Sequence, residues 1–577
     1  MTNNYLFDLL SLSVVLLAVW CSITSWGYAI FNACKSNSQY QGQGILQVSS
    51  AGWLGLTFVM AVTQLAHLFI PISWKLSLII LLPGLCIYGL KNWSHLSQRT
   101  STFGKIKIWV LRHPFYTLLL ALGWVALLTK AMQAPGNFDS GLYHFASIRW
   151  ANEYAVVPGL GNLHGRLAFN QSIFDLYALL NFFPLWNKGY ALGYLLIITL
   201  SILTLYEAHL ERYKGGWWAI IICGVAIASA IGPLPSPTPD PIIALLQISI
   251  FISLIAVLLA PKQNPQNTSG HMATLICLCT LICTIKLSAL IFAVSCLLIA
   301  LLRAYQHKTI HSQLIILSVL MCAVLGISHI GHGFITSGVP FYPSSLGIQW
   351  APDWSIPQVK IQEELNWVYS WARSPYQDPA IVLGNWRWLK SWAIHLLPIA
   401  AWIYFGLSGI LIALCLSNHK LRPTRDDHQL WLVFIPLFIS VVFWFFTAPD
   451  WRFLGSVPPI LLAVSGWIFL KSNSPLISKV NMKLTHPILW MMPGLILLCI
   501  KLLPLSFDGW QVIPQTKLES KQTRSGFWVL IPADGKTQCW DAPLPCTPYF
   551  NENLVIRNIG SRTTTLQQGF SQDSKPN

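Results

Sequence analysis

Residues 240–260 read DPIIALLQISIFISLIAVLLA, and no charged side chain follows Asp240 in this stretch. An α-helix needs about 20 predominantly apolar residues to cross a bilayer, so the stretch predicts a membrane-spanning helix. Similar uncharged runs recur from the N-terminus to about residue 504. Only 10% of the 577 residues are Asp, Glu, Lys or Arg, against about a quarter in a soluble domain. The sequence therefore predicts an all-α polytopic membrane protein and excludes a water-soluble globule.

The apolar runs predict about 13–14 transmembrane helices. They lie at approximately 5–28, 51–72, 75–90, 113–130, 188–206, 216–234, 240–260, 272–285, 287–302, 311–332, 391–416, 429–447, 453–470 and 486–504. Three parts follow along the chain: N-terminal helices with a basic linker (1–112), a transmembrane core (113–504) with long loops at 131–187 and 333–390, and a C-terminal tail (505–577).

Basic residues in the short connections predict the orientation, because Lys and Arg are enriched in cytoplasmic loops. They cluster after the third, ninth and eleventh predicted spans: Lys91, Arg99, Lys105, Lys107, Arg112, Arg303, Lys308, Lys420, Arg422 and Arg425. If 272–302 forms a hairpin of two short helices, alternation places the N-terminus, both long loops and the tail outside. We expect a multi-pass protein of the plasma (inner) membrane with these segments extracytoplasmic. The net charge of +16 is then divided between two sides of a membrane, and no nucleic-acid partner is expected.

The tail is polar and strand-like at 526–531, which predicts a small outer cap whose last ten or so residues lack order. Most of the 13 cysteines lie in apolar runs, where a thiol acts as a small hydrophobic group. Cys539 and Cys546 instead lie together in the tail. We expect them to form a disulfide if that side of the membrane is oxidising.

Ionisable groups inside or at the edge of a membrane are costly, so each is a candidate for a site. The candidates on the outer side are Asp139, Tyr143, His144, Arg149, His164, Arg166, Asp240, Lys286 and Arg452. Structural explanations compete with a functional one. An acid at a helix start, as at Asp139 and Asp240, can cap the helix, Lys286 and Arg452 can reach lipid headgroups, and the loop residues can simply be solvated.

Taken together, these groups favour transfer chemistry on a phosphate-bearing lipid. A carboxylate can remove the proton of an attacking hydroxyl, and Lys and Arg can stabilise the charge on a leaving phosphate. His329 and His332 lie one helical turn apart, but the sequence shows no third metal ligand. We therefore expect neither a metal nor another cofactor.

Tryptophan offers a second indication. Many of the 27 tryptophans lie in one outside loop and its exit: Trp350, Trp354, Trp367, Trp371, Trp386, Trp388 and Trp392. Such rings can bind the apolar faces of sugars, and anchoring at the membrane interface explains them equally well.

Asp139, Tyr143, the helix through Arg149 and Glu153, and the segment 157–163 resemble the first outer loop of class C glycosyltransferases, closest to the protein mannosyltransferase and aminoarabinose transferase branch. The resemblance implies a sugar donor on polyprenyl phosphate and a loop acid, Asp139, that acts as base. It further implies that Asp240 is a second acid of the cavity and that Lys286 and Arg452 bind the phosphate. Unlike many members of that family, this chain has Ser140 after Asp139 and not a second acid.

Across 115–560 the chain also resembles a group of bacterial multi-spanning membrane proteins. Three segments carry this likeness: 236–240, 337–343 and 539–549. We expect a membrane glycosyltransferase that moves a sugar from a lipid-phosphate donor to a glycan, lipid or protein acceptor on the outer face, in contact with membrane lipids. The alternatives are a polymerase or ligase of lipid-linked glycans, a flippase or transporter of lipid-linked saccharide, and a scaffold that has lost its site.

Overall fold

A computed structural model describes residues 4–35, 46–93, 111–112, 114–260, 265–306, 313–417, 429–472, 493–494, 496–497, 506–557 and 565–572. Within these ranges, nine helices are long and apolar enough to cross a membrane: Tyr5–Cys34, Val48–His67, Gly189–Glu207, Asp240–Leu258, Thr268–Ile285, Leu287–Gln306, Gln313–Ser337, Ile399–Ser417 and Gln429–Thr447. Four shorter apolar helices join them: Trp74–Gly89, Thr117–Ala131, Gly216–Ser229 and Val457–Ser472. The prediction of an all-α polytopic protein is confirmed at this level, and the exact number of spans stays a prediction.

The helices are labelled in chain order: α1 Tyr5–Lys35, α2 Val48–His67, α3 Trp74–Trp93, α4 Pro114–Ala131, α5 Phe145–Glu153, α6 Ile173–Leu179, α7 Gly189–Glu207, α8 Gly216–Ser229, α9 Asp240–Leu258, α10 Pro265–Ile285, α11 Leu290–Gln306, α12 Gln313–Ser337, α13 Gln358–Arg373, α14 Ile399–Ser417, α15 Phe434–Thr447 and α16 Val457–Ser472. Short helical turns lie at Pro379–Val382, Trp388–Ser391 and Trp451–Leu454.

Helix α2 lies in the interior of the bundle. Small residues bring it close to α1: a Cβ on Gly27 would lie 1.8 Å from the Ala51 carbonyl oxygen, a spacing typical of tightly packed membrane helices. Its other faces pack against α7, α10 and α12. The Trp53 indole N–H donates to Thr204 Oγ1 of α7 at 2.8 Å. The N-terminal helices are therefore packed directly onto the core.

The long connections gather at one end of the bundle, here called the loop end, which comprises 132–188, 338–398, 506–557 and 565–572. In the first loop, Asn152 of α5 donates to the carbonyls of Ile72 at 2.7 Å and Ala178 at 3.0 Å. In the second, Arg373 at the end of α13 donates to the carbonyls of Thr447 at 2.7 Å and Phe446 at 2.9 Å. These bonds satisfy carbonyls at the end of α15 and tie the loop to the bundle.

The described part of the tail forms two antiparallel strand pairs, β1 Leu518–Gln522 with β2 Trp528–Pro532 and β3 Leu554–Ile556 with β4 Phe570–Gln572. The strand prediction at 526–531 is confirmed. The expectation that the last ten residues lack order is wrong for β4, because Phe570 is fully buried and its N–H donates to the Pro158 carbonyl at 2.9 Å.

Gly159 allows this contact between tail and loop. Its φ is +63°, and a Cβ there would lie 2.1 Å from the Phe570 carbonyl oxygen. The Gly159 N–H donates to Ile335 of α12 at 2.8 Å. The first loop, the end of α12 and the tail therefore meet at one glycine that no larger residue can replace without displacement.

Several predicted span edges differ from the observed helices. The run predicted at 391–416 begins as a helix only at Ile399, because a π-helical turn at Trp392–Leu396 and Pro398 precede it. The predicted hairpin at 272–302 consists of two helical segments of 18 and 20 residues, each long enough to span. The predicted span 486–504 lies outside the described residues apart from four positions, and so do most residues of the basic clusters at 91–112, 303–308 and 420–425.

Candidate functional site

The site is built on the strip that leads from α4 into the first loop. The backbone N–H groups of Gly136 and Asn137 both donate to Ser236 Oγ, at 3.1 and 3.2 Å. Ser236 lies just ahead of Asp240, the first residue of α9. These two bonds hold the strip that carries Asp139 beside the start of α9, although the two segments are about 100 residues apart.

Asp139 lies between two guanidinium groups. Its Oδ1 accepts from Arg166 Nη1 at 3.1 Å, and its Oδ2 faces Arg452 Nη1 at 3.8 Å. Its side chain keeps 27% of its surface exposed, so the carboxylate is accessible. The carboxylate is thus held by charges from the first loop and from the turn before α16.

Arg452 is oriented by its neighbour Asp450. Its Nε lies 3.1 Å and its Nη2 2.9 Å from Asp450 Oδ2, a two-pronged pair. Asp450 also caps the turn Trp451–Leu454 through the Arg452 N–H at 3.0 Å. Burial acts to lower the pKa of Arg452, but Asp450, and then Asp240 and Asp139, outweigh it and raise that pKa, so the guanidinium stays charged.

Lys286 forms an ion pair with Asp240 in the gap between α10 and α11. Each of these side chains keeps 18% of its surface exposed. The ammonium of Lys286 also lies 4.1 Å from the ring centre of Phe453, and the guanidinium of Arg452 lies 5.6 Å from the same ring. Phe453 therefore connects the pair Lys286–Asp240 to Arg452 and Asp139.

A further acid reaches the site from α13. Glu364 Oε1 lies 3.6 Å from Arg166 Nε. Burial raises the pKa of Glu364, and Arg166 only partly counteracts this. Burial acts to lower the pKa of Arg166, but Glu364 and Asp139 outweigh it and raise that pKa. We call the complete set the charged cluster, and its members are Asp139, Arg166, Asp240, Lys286, Glu364, Asp450, Arg452 and Phe453.

Tyr143 and His144 form the inner wall beneath the charged cluster. Both are buried, and their rings contact edge to face at 4.4 Å. Burial, followed by the nearby cations Lys286, Arg166 and Arg452, lowers the pKa of His144 well below its usual range. Ser140 Oγ lies 3.2 Å from its Nδ1. His144 is therefore a neutral, hydrogen-bonded side chain and contributes no positive charge to a phosphate site at neutral pH.

Two other predicted site residues do not line the charged cluster. Arg149 donates to Glu153 at 2.6 Å and to the Asp541 carbonyl at 3.0 Å, and it lines a separate cavity of about 270 Å³ with Asn187. His164 is buried, with its ring 5.4 Å from that of Tyr549. Burial, and then Arg166, lowers the pKa of His164 to about 3.

The tail closes over the residues that follow Asp139. Cys539 and Cys546 form a disulfide, and Trp540 inside that loop donates its N–H to the Gly141 carbonyl at 2.8 Å. A Cβ on Gly141 would lie 2.7 Å from the Trp540 indole. The predicted outer cap is therefore packed directly against the turn that carries Asp139.

The tryptophans of the second loop divide into two groups. Trp388 and Trp392 are buried, and the Trp392 indole N–H donates to the Pro449 carbonyl at 2.7 Å, close to Asp450. Trp350 and Trp386 are more than half exposed. The buried pair supports the turn of Arg452 through packing and hydrogen bonding. Exposed indole surface is present on Trp350, Trp367, Trp371 and Trp386, and Trp386 stacks on Trp388 and Phe445.

Sequence reasoning missed Glu364, Asp450 and Phe453. The role of Asp450 could have been predicted from the sequence. A carboxylate two residues before an arginine at a helix start both caps the helix and pairs with the arginine. Glu364 lies in an amphipathic helix with other acids, and no local feature separates it from them. Among the described residues, one group could hold a metal ion: His67, Asp175 and His332. It does not include His329, the partner considered from the sequence.

The sequence profile of the family described as "Domain of unknown function (DUF8201)" matches residues 9–457, most of the chain. This chain belongs to that family. The match spans α1 to the first residue of α16 and includes every member of the charged cluster. Neither a curated protein nor a solved structure matches the chain.

Proposed function

We propose that this DUF8201 protein is a membrane glycosyltransferase that moves a sugar from a polyprenyl-phosphate-type donor to an acceptor hydroxyl at the loop end. The observation that carries the proposal is the position of Asp139 between Arg166 and Arg452. In this proposal Asp139 is the base and the two arginines bind the phosphate, and the contacts among the three residues support it.

Both arginines have N–H groups that could donate hydrogen bonds to a phosphate. Arg452 Nη1 is 3.8 Å from Asp139 and Arg166 Nε is 3.6 Å from Glu364, both longer than a hydrogen bond. A phosphate oxygen entering between these groups would be a closer partner than the carboxylates. Guanidinium groups bind phosphate in a two-pronged manner, which suits a diester or monoester of a lipid carrier.

The proposed step is a single displacement at the anomeric carbon. The acceptor oxygen forms a bond to that carbon, its proton passes to Asp139, and the bond from the carbon to the phosphate oxygen breaks. The lipid phosphate leaves with the bonding electrons, and Arg166, Arg452 and Lys286 stabilise its charge. A single displacement inverts the anomeric configuration.

The partners follow from this chemistry. The donor is a lipid-phosphate-linked sugar, the acceptor a glycan, lipid or protein, and the surrounding contacts are with membrane lipids. With the predicted orientation, the loop end faces outward from the plasma membrane, where lipid-linked sugars are used to build the cell envelope.

Two alternative functions are a transporter and a polymerase or ligase, and each can be distinguished by experiment. A transporter is favoured by helices broken at mid-membrane, but the segments on either side of Lys286 are each long enough to span. The break is therefore better explained as a connection at the loop end. A polymerase or ligase would also use this site and is distinguished by the number of units that it adds.

The test compares Asp139→Asn with the wild-type full chain in detergent micelles. Asparagine keeps the size and removes the base, so we expect transfer to fall about 100-fold or more with donor binding nearly unchanged. The donor pool is a lipid extract from a deletion strain, in which we expect unused donor to accumulate and a surface glycan to lack one sugar. Binding is measured with a short-chain polyprenyl phosphate.

The matched control is Asp508→Asn, which changes an exposed acid in the tail. It should leave both transfer and binding unchanged. A folded Asp139→Asn protein that transfers sugar at the wild-type rate would exclude Asp139 as the base. Absence of donor accumulation in the deletion strain, together with saccharide flipping by the purified protein, would support the transporter.

A further inference from the structure

A second polar group lies where the loop-end termini of α2 and α12 meet α6. His67 is the last residue of α2, Asp175 lies in the first turn of α6, and His332 is five residues before the end of α12. The ligand atoms of all three lie within 4.8 Å of one another. His67 and Asp175 are buried. Three segments that are distant in sequence therefore converge on one enclosed point.

Two of the three distances among these atoms match the edge of a small coordination polyhedron, and the third is no longer than 4.8 Å. His67 Nδ1 lies 3.3 Å from Asp175 Oδ1 and 3.3 Å from His332 Nε2. Bonds of about 2.0 Å from a tetrahedral Zn²⁺ to nitrogen and oxygen place neighbouring ligand atoms about 3.3 Å apart. The side chains thus need little rearrangement to share one ion.

The outer contacts orient the ligands. His67 Nε2 lies 3.3 Å from the Tyr154 carbonyl oxygen. In the tautomer with the proton on Nε2, this nitrogen donates a hydrogen bond to the carbonyl, and the Nδ1 lone pair is available to an ion. Gln64 Nε2 donates to Asp175 Oδ2 at 2.9 Å, which leaves Oδ1 toward His67. With the His67 proton on Nε2, the Nδ1 lone pair and Asp175 Oδ1 lie 3.3 Å apart, and a cation between them would bind both atoms.

An adjacent cavity offers an open coordination position. Its volume is about 40 Å³, and His67, Asp175 and His332 line it together with Gln171 and Arg166. A buried water needs roughly 10–15 Å³ of such space. A site with three protein ligands and room for water has the composition of sites in which zinc keeps an exchangeable ligand.

We propose that His67, Asp175 and His332 bind a divalent transition-metal ion of the Zn²⁺ class, with a water in the fourth position. Two imidazoles and one carboxylate suit zinc and similar ions better than Mg²⁺ or Ca²⁺, which prefer oxygen ligands. The ion joins α2, α6 and α12 at the base of the first loop. This inference is independent of the proposed sugar transfer.

The experiment measures metal content and metal binding of the full chain in detergent. The protein is stripped with EDTA, reloaded with Zn²⁺, freed of excess by gel filtration and analysed by mass spectrometry of the elements. We expect about one zinc per wild-type chain and little in His332→Gln or Asp175→Asn. His329→Gln, one turn away on α12, is the matched control and should retain the ion.

Two further measurements separate metal binding from folding. Co²⁺ in place of Zn²⁺ should give the visible absorption of a four-coordinate nitrogen and oxygen site, and the melting temperature of wild type should rise with Zn²⁺ but that of His332→Gln should not. Variants are compared only as folded, monodisperse proteins. If Asp175→Asn does not fold, His332→Gln decides.

Wild-type protein that takes up no zinc after reloading would overturn the proposal. Retention of zinc by both ligand variants would equally overturn it. Loss of zinc from the folded His329→Gln control would reject the proposed ligand set.

Discussion

Arg166 donates from Nη1 to Asp139 Oδ1 across 3.1 Å, and both residues belong to the first loop. The same carboxylate faces Arg452. Arg452 lies in the turn before α16, far from the first loop in the sequence. The loop therefore sets the position of Asp139 with its own arginine, and the distant turn completes the site. Variants of the two arginines should consequently differ in effect.

Arg452→Lys tests the two-pronged binding of phosphate. Lysine keeps the charge but cannot form the paired contacts that Arg452 makes with Asp450, and it offers a phosphate only a point charge. We expect the dissociation constant for a short-chain polyprenyl phosphate to rise about tenfold, or about 1.4 kcal/mol, with a parallel loss of transfer.

The control for this change is Arg387→Lys, which replaces an exposed arginine of the second loop. It should bind the lipid phosphate as wild type does. Unchanged binding by folded Arg452→Lys would show that Arg452 orients Asp450 and the turn without contacting the donor.

Topology reasoning anticipated the shared location of Asp139, Asp240, Lys286 and Arg452. Span alternation places all four residues on one side of the membrane. In the structure they contact one another directly or through Phe453. The chemical roles stay predictions. The geometry agrees because membrane helices limit each loop to one of two ends.

The details that sequence reasoning missed depend on helix rotation and on contacts between distant segments. Arg149 belongs to the same short helical region as Tyr143, yet the twist of α5 turns it toward Glu153 and Asp541. In the sequence His67 is a polar residue at the end of an apolar run. It lies close to His332 and Asp175 only because α2 packs against α12 and α6. Periodicity predicts which residues share a face but not which neighbour that face meets.

Removal of the Cys539–Cys546 disulfide should loosen the tail. The chain-entropy relation gives about 2–3 kcal/mol for so short a closed loop. We expect a Cys539→Ser, Cys546→Ser double variant to melt at a lower temperature and its tail to be cut faster by protease, because Trp540 no longer stays fixed on Gly141. Cys86→Ser, at a free exposed cysteine, should match wild type.

The redox state also reports the compartment. Intact mass after alkylation without reductant should show the two tail thiols protected in protein taken from its native membrane. Two free thiols would place the tail on a reducing side and contradict the predicted outward orientation.

Gly159→Ala should be strongly destabilising. Its φ of +63° disfavours any side chain, and the new Cβ would lie 2.1 Å from the rigid Phe570 carbonyl. We expect a loss above about 2 kcal/mol, read as a lower melting temperature with protease-sensitive β4. Gly123→Ala in α4, where a Cβ meets nothing within 4 Å, should be neutral or stabilising. Equal melting temperatures would contradict the observed contact of loop and tail.

Acid should destabilise the loop end through its buried histidines. Burial lowers the pKa of both His144 and His164, the latter to about 3, from an ordinary value of 6.5. Above pH 6.5 neither the folded nor the unfolded state holds the extra proton, so stability does not depend on these groups. As pH falls below 6.5, only the unfolded state binds it, and each histidine lowers stability by up to about 1.4 kcal/mol per pH unit.

In the His164→Gln variant the unfolded state can no longer bind a proton at this position. Glutamine keeps a polar side chain of similar length. We therefore expect the melting temperature of wild type to fall between pH 7.5 and 5.5, and that of His164→Gln to fall by less. The control is His395→Gln, at an exposed histidine of the second loop, and its melting temperature should fall as that of wild type does. If His164→Gln and wild type lose the same number of degrees, His164 takes up its proton in the folded protein, and its burial against Tyr549 is not maintained in solution.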